Sequence, residues 1–454
     1  MTSMIVRFSR VVAALAAVAG LSACSLGPLS EPTPVVPPPT ASATPGTSAA
    51  QWHGPLQMPG AGQVLLTIDD IAVVGDGVGQ DLWGVDLSSM SVIWTIDAGW
   101  TLPVMGDSTG LVVMTDKDVT VYDPKTGAVI GQAPLTPRPI GPTDATFAPV
   151  TGTPPFTAPT AARTSSPVWE SLYWAGNGFL VMGRGSDNTV CARPMVNPGR
   201  CLWLGKNMWT PAADFIGLSS YVIADTWVNT EGGVRKISDG KPAPFGKDAG
   251  ITPGGPVYYI GTSADRVFKM TSLGQVQGTG PGSATPWDVT TNKAISATVA
   301  ADVVDADPAS PVYVATINKA DDSDTVTAYS WASGKQLWQK DNLFQWSSQI
   351  GLNGGVYLGI TGLGFDRTLL MLDATTGEEL LRAAYDGGPE ADSAAGGGLI
   401  LIITDALTAY DNATGQQQWT AALPEEAKAC WFFTTPHYLA FLSPTLNLWA
   451  LDLA

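Results

Sequence analysis

Cysteine, histidine and positive charge are scarce in this sequence. Its 454 residues include four cysteines, two histidines (His53 and His437), and 23 Lys and Arg against 40 Asp and Glu. Two histidines and no Cys-x-x-Cys pair leave too few ligands for the usual structural zinc sites. A net charge of −17 without basic clusters argues against electrostatic binding of nucleic acid or anionic lipid, so the excess of acid is expected to serve solubility.

The motifs of several common catalytic sites are also missing. No Gly-x-Ser-x-Gly elbow, P-loop or Rossmann fingerprint occurs, and Gly75-Asp76-Gly77-Val78-Gly79 follows a strand but opens no helix. Asp305-Ala306-Asp307 and Asp321-Asp322-Ser323-Asp324 contain possible calcium ligands but lack EF-hand spacing, so solvated turns are the favoured interpretation. We therefore predict no catalytic residue, no metal ligand and no cofactor.

The N-terminal apolar run is too short to span a membrane. Residues 1–23 carry Arg7 and Arg10 followed by an apolar run of signal-peptide length, Val11 to Leu21. Leu21-Ser22-Ala23-Cys24 then resembles the lipobox of bacterial lipoproteins. The resemblance implies that residues 1–23 are removed and that Cys24 carries the lipid, on the extracytoplasmic face of a membrane; a plain secretory signal is the alternative.

Two segments rich in proline are not expected to form strands. Residues 24–50 are rich in Pro, Ser, Thr and Ala, a composition that cannot bury enough apolar surface to fold, and they are predicted to be an extended tether. Residues 134–168 contain no strand pattern and are predicted to be a long loop insertion, which could bind a partner or be simply mobile. The folded body is predicted to span residues 51–454.

One hairpin recurs along that body, and its best copy is residues 409–419, Ala-Tyr-Asp-Asn-Ala-Thr-Gly-Gln-Gln-Gln-Trp. A strand ends at Asp411, a turn reaches Gly415, and a second strand carries Trp419. Glycine can take the positive φ of such a turn, and aspartate can bond its amides. Other copies keep some of these positions: Asp86 and Trp94; Asp123 and Gly127; Gly334 and Trp338; Asp373 and Gly377; Asp452 in a copy that begins near the end of the sequence.

The spacing of these copies predicts an all-β propeller. Neighbouring copies lie 37, 38, 41 or 43 residues apart, which is the length of a four-stranded blade. The apolar runs are short and rich in β-branched residues, such as 399–403, and they are bounded by Gly, Asp and Ser, whereas helical repeats would need a period of 3.6 residues.

The motif Ala-x-Asp-x-x-Thr-Gly-x-x-x-Trp resembles the tryptophan-docking motif of quinoprotein-like (PQQ-like) β-propeller repeats. The resemblance implies that Trp94, Trp338 and Trp419 each pack on the turn of a neighbouring blade. The family includes quinone-dependent dehydrogenases, which hold their cofactor between a tryptophan and a disulfide of adjacent cysteines. This sequence has no adjacent cysteines. The family's non-catalytic lipoproteins, including those that assist outer-membrane barrel assembly, are the nearer analogue.

The number of blades and the closure of the ring are further predictions. About nine strand clusters can be counted, and we expect one to be an insertion, which favours eight blades, with seven as the alternative. The last copy lacks its outer strand after Asp452. Gln51-Trp52 resembles Gln418-Trp419, so we expect the segment around Trp52 to supply that strand and close the ring.

The predicted extracytoplasmic location is an oxidising environment, which allows the remaining cysteines to form a disulfide. Cys191 and Cys201 flank a loop with Pro194, Pro198 and Gly199, and we predict a disulfide between them. Cys430 adjoins Trp431-Phe432-Phe433 and is predicted to be a buried thiol.

These observations predict a monomeric, membrane-anchored, non-catalytic propeller that binds an envelope protein or polymer through its rim loops or residues 134–168. The alternatives are a hydrolytic or quinone-dependent envelope enzyme, and a protein that binds a small sugar or ion without chemistry. The sequence names no partner or substrate.

Overall fold

The computed structural model describes residues 51–453 except for 61, 76–80, 99–103, 116–117, 136–169, 185–188, 207–221, 253–254, 262–265, 272–281, 319–323, 344–348, 362–366, 386–397, 404–405, 428–429 and 431. The predicted leader (1–23), Cys24, the tether (24–50) and the predicted loop beyond Leu135 lie outside the described residues. Within them, no helix combines the length and the apolar character that crossing a membrane would require.

The described residues form nine antiparallel sheets, the blades of a propeller. The first strand of the chain, β1 (Trp52–Gln57), belongs to the ninth blade. Blade 1 contains β2 (Gln63–Ile68), β3 (Ile71–Gly75), β4 (Asp81–Asp86) and β5 (Ser91–Asp97). Blade 2 contains β6 (Val104–Asp107), β7 (Gly110–Met114), β8 (Asp118–Tyr122) and β9 (Val129–Pro134). Blade 3 contains β10 (Glu170–Gly176), β11 (Phe179–Arg184), β12 (Thr189–Pro194) and β13 (Trp203–Lys206).

The next three blades differ in their number of described strands. Blade 4 contains β14 (Val222–Ile223), β15 (Trp227–Thr230) and β16 (Gly233–Lys236). Blade 5 contains β17 (Gly250–Thr252), β18 (Gly255–Gly261), β19 (Arg266–Thr271), β20 (Ser283–Asp288), and the short β21 (Lys293–Ala294) and β22 (Val299–Ala300), both paired with β20. Blade 6 contains β23 (Val303–Ala306), β24 (Val312–Asn318), β25 (Asp324–Ser330) and β26 (Gln336–Asp341).

The last three blades complete the described chain. Blade 7 contains β27 (Gln349–Asn353), β28 (Val356–Thr361), β29 (Arg367–Asp373) and β30 (Glu379–Tyr385). Blade 8 contains β31 (Leu399–Ile403), β32 (Ala406–Asp411) and β33 (Gln417–Ala422), and a 3₁₀ turn over Glu425–Ala427 follows it. Blade 9 contains β34 (Phe432–Thr434), β35 (Tyr438–Leu442), β36 (Asn447–Asp452) and β1.

The prediction of all-β, four-stranded antiparallel blades is confirmed, but the preference for eight blades, with seven as the alternative, is wrong. We expected one strand cluster to be an insertion. Each cluster instead forms a blade that packs against others on both sides. Blade 4, which has no obvious motif, buries Val228 against blade 3 and Val234 against blade 5. The number of strand clusters in the sequence therefore predicted the number of blades better than the blade number usual for propellers did.

Burial within a blade follows the position of the strand. The first strands of neighbouring blades contact each other, as β2 does with β6 and β23 with β27, so the strands run outward from the axis. The second and third strands have apolar residues on both faces and are almost wholly buried, as in β3. The fourth strands are half exposed. In β5, Trp94 and Ile96 are buried, whereas the preceding Val92 and Ile93 face solvent.

Apolar clusters join each blade to the next along the chain. One combines Val314 and Trp338 of blade 6 with Leu352 and Tyr357 of blade 7. Polar contacts add to the packing in places. The buried Asn229 of blade 4 accepts a hydrogen bond from the Tyr259 amide of blade 5 at 3.0 Å and donates one to the Tyr259 carbonyl at 2.7 Å. Such a side chain satisfies two backbone groups that burial would otherwise leave unpaired.

The first strand of the described chain pairs with the last. β1 runs antiparallel to β36, with Trp52 opposite Leu451 and His53 opposite Ala450. The Trp52 ring lies edge-on to Phe441 at 5.4 Å between centroids, and its Nε1 donates to the carbonyl of Ala422 in blade 8 at 2.9 Å. A further cluster places Ala440, Leu448 and Ala450 of blade 9 against Ala72 and Val74 of blade 1.

Candidate functional site

The turn at residues 411–415 is built around its aspartate. One Asp411 carboxylate oxygen accepts hydrogen bonds from the Thr414 amide and hydroxyl, both at 2.8 Å, and from the Ala413 amide at 3.1 Å. The Gly415 amide donates to the Asp411 carbonyl, and Gly415 has a φ of 67°. Asp86, Asp123 and Asp373 accept hydrogen bonds from the amides of their own turns in the same way. These aspartates therefore stabilise the turns in which they lie.

The hydrogen bonds on Asp411 give a testable pH dependence. The Thr414 hydroxyl bond lowers the pKa of Asp411 below its ordinary value of 3.8. A lowered pKa stabilises the folded state above about pH 4, and this stabilisation is lost as the pH falls through the folded-state pKa. We expect Asp411→Ala to lower the urea midpoint at neutral pH, with a difference from the parent protein that shrinks in acid. Gln416→Ala should show no such pH dependence; a constant Asp411→Ala deficit would contradict the prediction.

Tryptophan residues connect blades at the outer edge of the ring. Trp94 Nε1 donates to the Pro124 carbonyl at 2.7 Å, and Trp338 Nε1 donates to the Ala374 carbonyl at 2.8 Å. A Cβ added to Gly127 would lie 2.7 Å from Trp94, and one added to Gly377 would lie 2.8 Å from Trp338. The indole of one blade thus covers the glycine of the next blade's turn, as the resemblance implies.

The sequence reasoning missed a third contact of this kind. Trp203 of blade 3 donates to the Ile237 carbonyl at 2.8 Å and covers Gly240 of blade 4. That turn has Lys236 where other copies have aspartate. The sequence does contain a pattern that indicates this contact: Trp203 is followed, about one blade length later, by the pair Asp239-Gly240.

Two further contacts use smaller side chains. Gly334 lies beneath Ser296 of blade 5, and Gly415 lies beneath Leu380 of blade 7. Trp419 is half-buried in the cluster shared by blades 8 and 9, and Asp452 ends β36. His53, not Trp52, lies opposite Ala450, whereas Trp419 lies opposite the matching Ala409. Trp52 is therefore displaced by one residue from the docking position, and the alternation of the strand turns its ring toward Phe441.

Three of the acidic residues considered for calcium accept hydrogen bonds from backbone amides. Asp305 is buried and accepts the Leu352 amide at 2.5 Å, Asp307 accepts the Gly354 amide at 2.7 Å, and Asp324 accepts the Leu343 amide at 2.8 Å. Residues 321–323 lie outside the described part of the chain. Among the residues that are described, no group of three or more His, Cys, Asp or Glu side chains has a metal-binding arrangement.

The predicted disulfide is present. Cys191 on β12 bonds to Cys201 with a Cα–Cα distance of 5.8 Å and closes the turn of blade 3. Cys430 is buried, and burial together with Glu426 raises the pKa of its thiol to about 11. Cys191 and Cys201 are ten residues apart in the sequence, so their bond is not a disulfide of adjacent cysteines like that of the quinone-dependent dehydrogenases.

Reduction of this disulfide should lower the free energy of unfolding by about 2–3 kcal/mol, because the crosslink restricts the unfolded chain. Urea unfolding with and without dithiothreitol measures the effect. Cys430→Ser should keep the full sensitivity to reductant, and the Cys191→Ser/Cys201→Ser protein should have none. Equal stability of the parent, Cys430→Ser and Cys191→Ser/Cys201→Ser proteins without dithiothreitol would contradict the prediction.

Exposed apolar side chains lie on three successive blades, at the start of the outer strands of blades 1 and 2 and in the turn before the outer strand of blade 3. Together we call them the rim patch, which comprises Val92, Ile93, Val129, Ile130 and Val196. Val129 is 57% exposed and Val196 is 74% exposed. The blades are in contact here, since Trp94 covers the Gly127 turn, and a Cβ added to Gly131 would lie 2.1 Å from the Met195 carbonyl oxygen.

The rim patch has no acidic side chain of its own, although Asp86, Asp97 and Asp123 directly adjoin it in the sequence. Segments 87–96, 124–134 and 195–203 contain Lys125 and Arg200 but no Asp or Glu. Both cations are exposed. Exposed apolar surface that spans several elements is typical of an interaction site, so the rim patch is our candidate functional site.

Comparisons with known proteins agree with this fold. The family model described as outer membrane protein assembly factor BamB matches residues 322–440. The resemblance to PQQ-like propeller repeats is thus confirmed in that stretch, which runs from before β25 to within β35. No curated protein is similar enough to this sequence to count as a match.

Three solved structures resemble this chain at low identity. BamB from Moraxella catarrhalis is 11% identical with a TM-score of 0.42, covering 89% of this chain and 99% of that one. A eukaryotic initiation factor is 11% identical with a TM-score of 0.49, covering 83% and 92%. The dihydro-heme d1 dehydrogenase NirN is 12% identical with a TM-score of 0.40, covering 70% and 64%.

Proposed function

We propose that this protein is a non-catalytic binding scaffold of the cell envelope. In this proposal, lipid on Cys24 holds it to the extracytoplasmic face of a membrane, and residues 24–50 lift the body away from the bilayer. The pairing of β1 with β36, together with the cluster between blades 9 and 1, supports a ring closed by its N-terminal strand. The client is another envelope protein or polymer bound at the rim.

The rim patch is the observation that carries the proposal. Its five branched side chains lie exposed on three blades, although the same blades bury the residues next to them. The partial match to the BamB family model, whose description names assembly of outer membrane proteins, supports a client among envelope proteins. The motif residues support the same interpretation, because Trp94, Trp203 and Trp338 are occupied in contacts between blades.

Photo-crosslinking in intact cells tests the proposal. A benzoylphenylalanine placed at Val196, or within residues 134–168, should capture a defined envelope species that Leu337, an exposed residue of blade 6, does not capture. Cys24→Ala should release the protein from the membrane fraction. Absence of any captured species above background at all of these positions would overturn the scaffold proposal, and unchanged membrane association of Cys24→Ala would overturn the anchor.

A further inference from the structure

The boundary between blades 2 and 3 is built differently from those that a tryptophan joins. In blade 2, Gly131 takes the ladder position on the outer strand that Trp94 takes in blade 1. A glycine at that position gives β9 no side chain with which to cover the turn of blade 3. Blades 2 and 3 therefore make their contact at the outer edge in another way.

The turn of blade 3 reaches back onto blade 2 instead. Met195, the first residue of this turn, is 1% exposed and lies in an apolar cluster with Val121 of blade 2. A Cβ added to Gly110 would lie 2.7 Å from Met195 Sδ. One added to Gly131 would lie 2.1 Å from the Met195 carbonyl oxygen and 3.0 Å from Pro198 Cδ. The contact is thus inverted, because the turn of the later blade fills a space that two glycines leave on the earlier blade.

The turn of blade 3 also differs from other turns in how it is supported. β12 ends at Pro194, whereas the strands before the turns of blades 7 and 8 end at Asp373 and Asp411. The turn is longer as well, since residues 195–202 separate β12 from β13 but only 412–416 separate β32 from β33. A longer turn without its aspartate has more backbone freedom to lose when it is ordered. It therefore needs another constraint.

The disulfide between Cys191 and Cys201 supplies that constraint. Cys191 lies on β12 and Cys201 lies just before β13, so the bond ties the two ends of the turn together. Within the turn, the Asn197 amide donates to the Pro194 carbonyl at 3.1 Å and the Arg200 amide donates to the Asn197 carbonyl at 3.0 Å. Asn197 and Arg200 are exposed, so water competes for these bonds. Because a crosslink restricts the open form of the segment that it closes, its reduction favours opening.

The inner part of the boundary does not depend on the disulfide. The Asp107 carboxylate accepts the Asn177 amide at 2.5 Å, and the Thr109 hydroxyl accepts the Gly178 amide at 2.8 Å. On the other side of blade 3, Trp203 still covers the turn of blade 4. Reduction should therefore open the outer turn and leave the strands of both blades in place.

We propose that the Cys191–Cys201 disulfide is a redox-sensitive switch, which holds the turn of blade 3 on blade 2 when it is oxidised and releases the turn when a dithiol reduces it. Cys201 is half-buried and follows the exposed Arg200, so a small thiol can reach it in the folded protein. One thiolate of the dithiol attacks Cys201 Sγ, forms a mixed disulfide and displaces Cys191 as a thiolate, which takes a proton from water. The second thiolate of the dithiol then displaces Cys201, so two electrons pass to the protein and the reductant leaves as a disulfide.

The switch acts on the rim patch, and this part of the inference rests on the scaffold proposal. Val196 lies in the turn directly after Met195 and is 74% exposed, whereas Val129 and Ile130 lie on β9 of blade 2. The oxidised turn holds Val196 on the same surface as these two residues. Release of the turn removes Val196 from that surface, so the redox state regulates client binding.

Hydrogen exchange of the full chain, followed by mass spectrometry, tests the opening of the turn. With dithiothreitol, the amides of residues 195–202 should exchange about tenfold faster, a change equivalent to about 1.4 kcal/mol in the free energy of opening. The turn at 412–416 is the matched control and should not change. Cys191→Ser/Cys201→Ser should exchange at the faster rate without reductant, and Cys430→Ser should behave like the parent. No increase at 195–202 after full reduction, or an equal increase in both turns, would overturn the proposal.

Methionine oxidation gives a second readout of the same opening. Met195 and Met182 belong to one apolar cluster and are 1% and 2% exposed, but Met182 lies on β11 and not in the turn. Hydrogen peroxide should oxidise Met195 about tenfold faster in Cys191→Ser/Cys201→Ser than in the parent, and Met182 at an unchanged rate. The serine variant is used because peroxide would oxidise freed thiols. Met195 oxidation as slow as in the parent would overturn the proposal.

Photo-crosslinking from Val196 separates the switch from the scaffold proposal. The parent should capture its client, and the Cys191→Ser/Cys201→Ser protein should capture much less of it. Faster exchange at 195–202 without capture from any position would support the opening of the turn and overturn the scaffold proposal. Equal capture by both proteins with unchanged exchange would overturn the switch and leave the scaffold proposal standing. Equal capture with faster exchange would overturn the control of the rim patch by the disulfide.

Discussion

A chain that begins at Gly60 should melt at a clearly lower temperature than one that begins at Gln51. The shorter chain lacks β1, which pairs with β36, and it lacks the contacts of Trp52 with Phe441 and with the Ala422 carbonyl. It also loses Met58, which is 2% exposed in the cluster between blades 9 and 1. Loss of the buried Met58 side chain alone costs about 2–5 kcal/mol, and the lost strand pairing and Trp52 contacts add to it, so the total should exceed about 5 kcal/mol.

The shorter chain should also aggregate more readily, because β36 would then be an unprotected edge. Thermal melting followed by circular dichroism, with light scattering recorded in parallel, measures both effects. The chain from Gln51 is the control, since it removes only residues 1–50 and keeps the pairing. Equal melting temperatures for the two chains would show that β1 contributes little to the body and would contradict ring closure by this strand.

The sequence allowed six of the nine repeat positions to be identified, and the other three were missed for a physical reason. The strand before the turn ends at Pro194 in blade 3, at Lys236 in blade 4 and at Asp288 in blade 5. In blade 5, Asn292 takes the positive φ of 53° that glycine takes elsewhere, and Ser296 takes the place of tryptophan against Gly334. The contact requires only that a side chain of one blade fit the turn of the next blade. Either residue can therefore change, as long as the two still fit together.

The candidate site could not be predicted from the sequence for a different reason. Val92 and Ile93 have the same apolar character as Ile96, yet the first two are exposed and Ile96 is buried. A register shift between β4 and β5, between Gly84 and Val85, breaks the simple alternation at the start of the outer strand. The same shift occurs between β8 and β9. Hydrophobicity therefore indicated strands correctly but gave no indication of which of their side chains reach solvent.

The contact between Trp338 and Gly377 should show strong non-additivity in a double-mutant cycle. Trp338→Ala removes a buried side chain and the hydrogen bond to Ala374, with an expected cost of about 3–5 kcal/mol in the free energy of unfolding. Gly377→Ala combines strain at a φ of 71° with a Cβ that would lie 2.8 Å from the indole. The strain alone costs about 1 kcal/mol, and the clash adds to it.

In the Trp338→Ala background the indole is gone, so Gly377→Ala should retain only the cost of backbone strain. Gly178→Ala is the matched control, because Gly178 has a φ of 78° and nothing within 4 Å of an added Cβ. Urea unfolding gives the free energy of unfolding of the parent, both single variants, the double variant and the control. If Gly377→Ala costs the same in both backgrounds, and no more than Gly178→Ala, then the indole does not bear on the turn and the docking interpretation of the repeat fails. If the cost falls to the Gly178→Ala value only when Trp338 is removed, the tryptophan explains why that turn requires glycine.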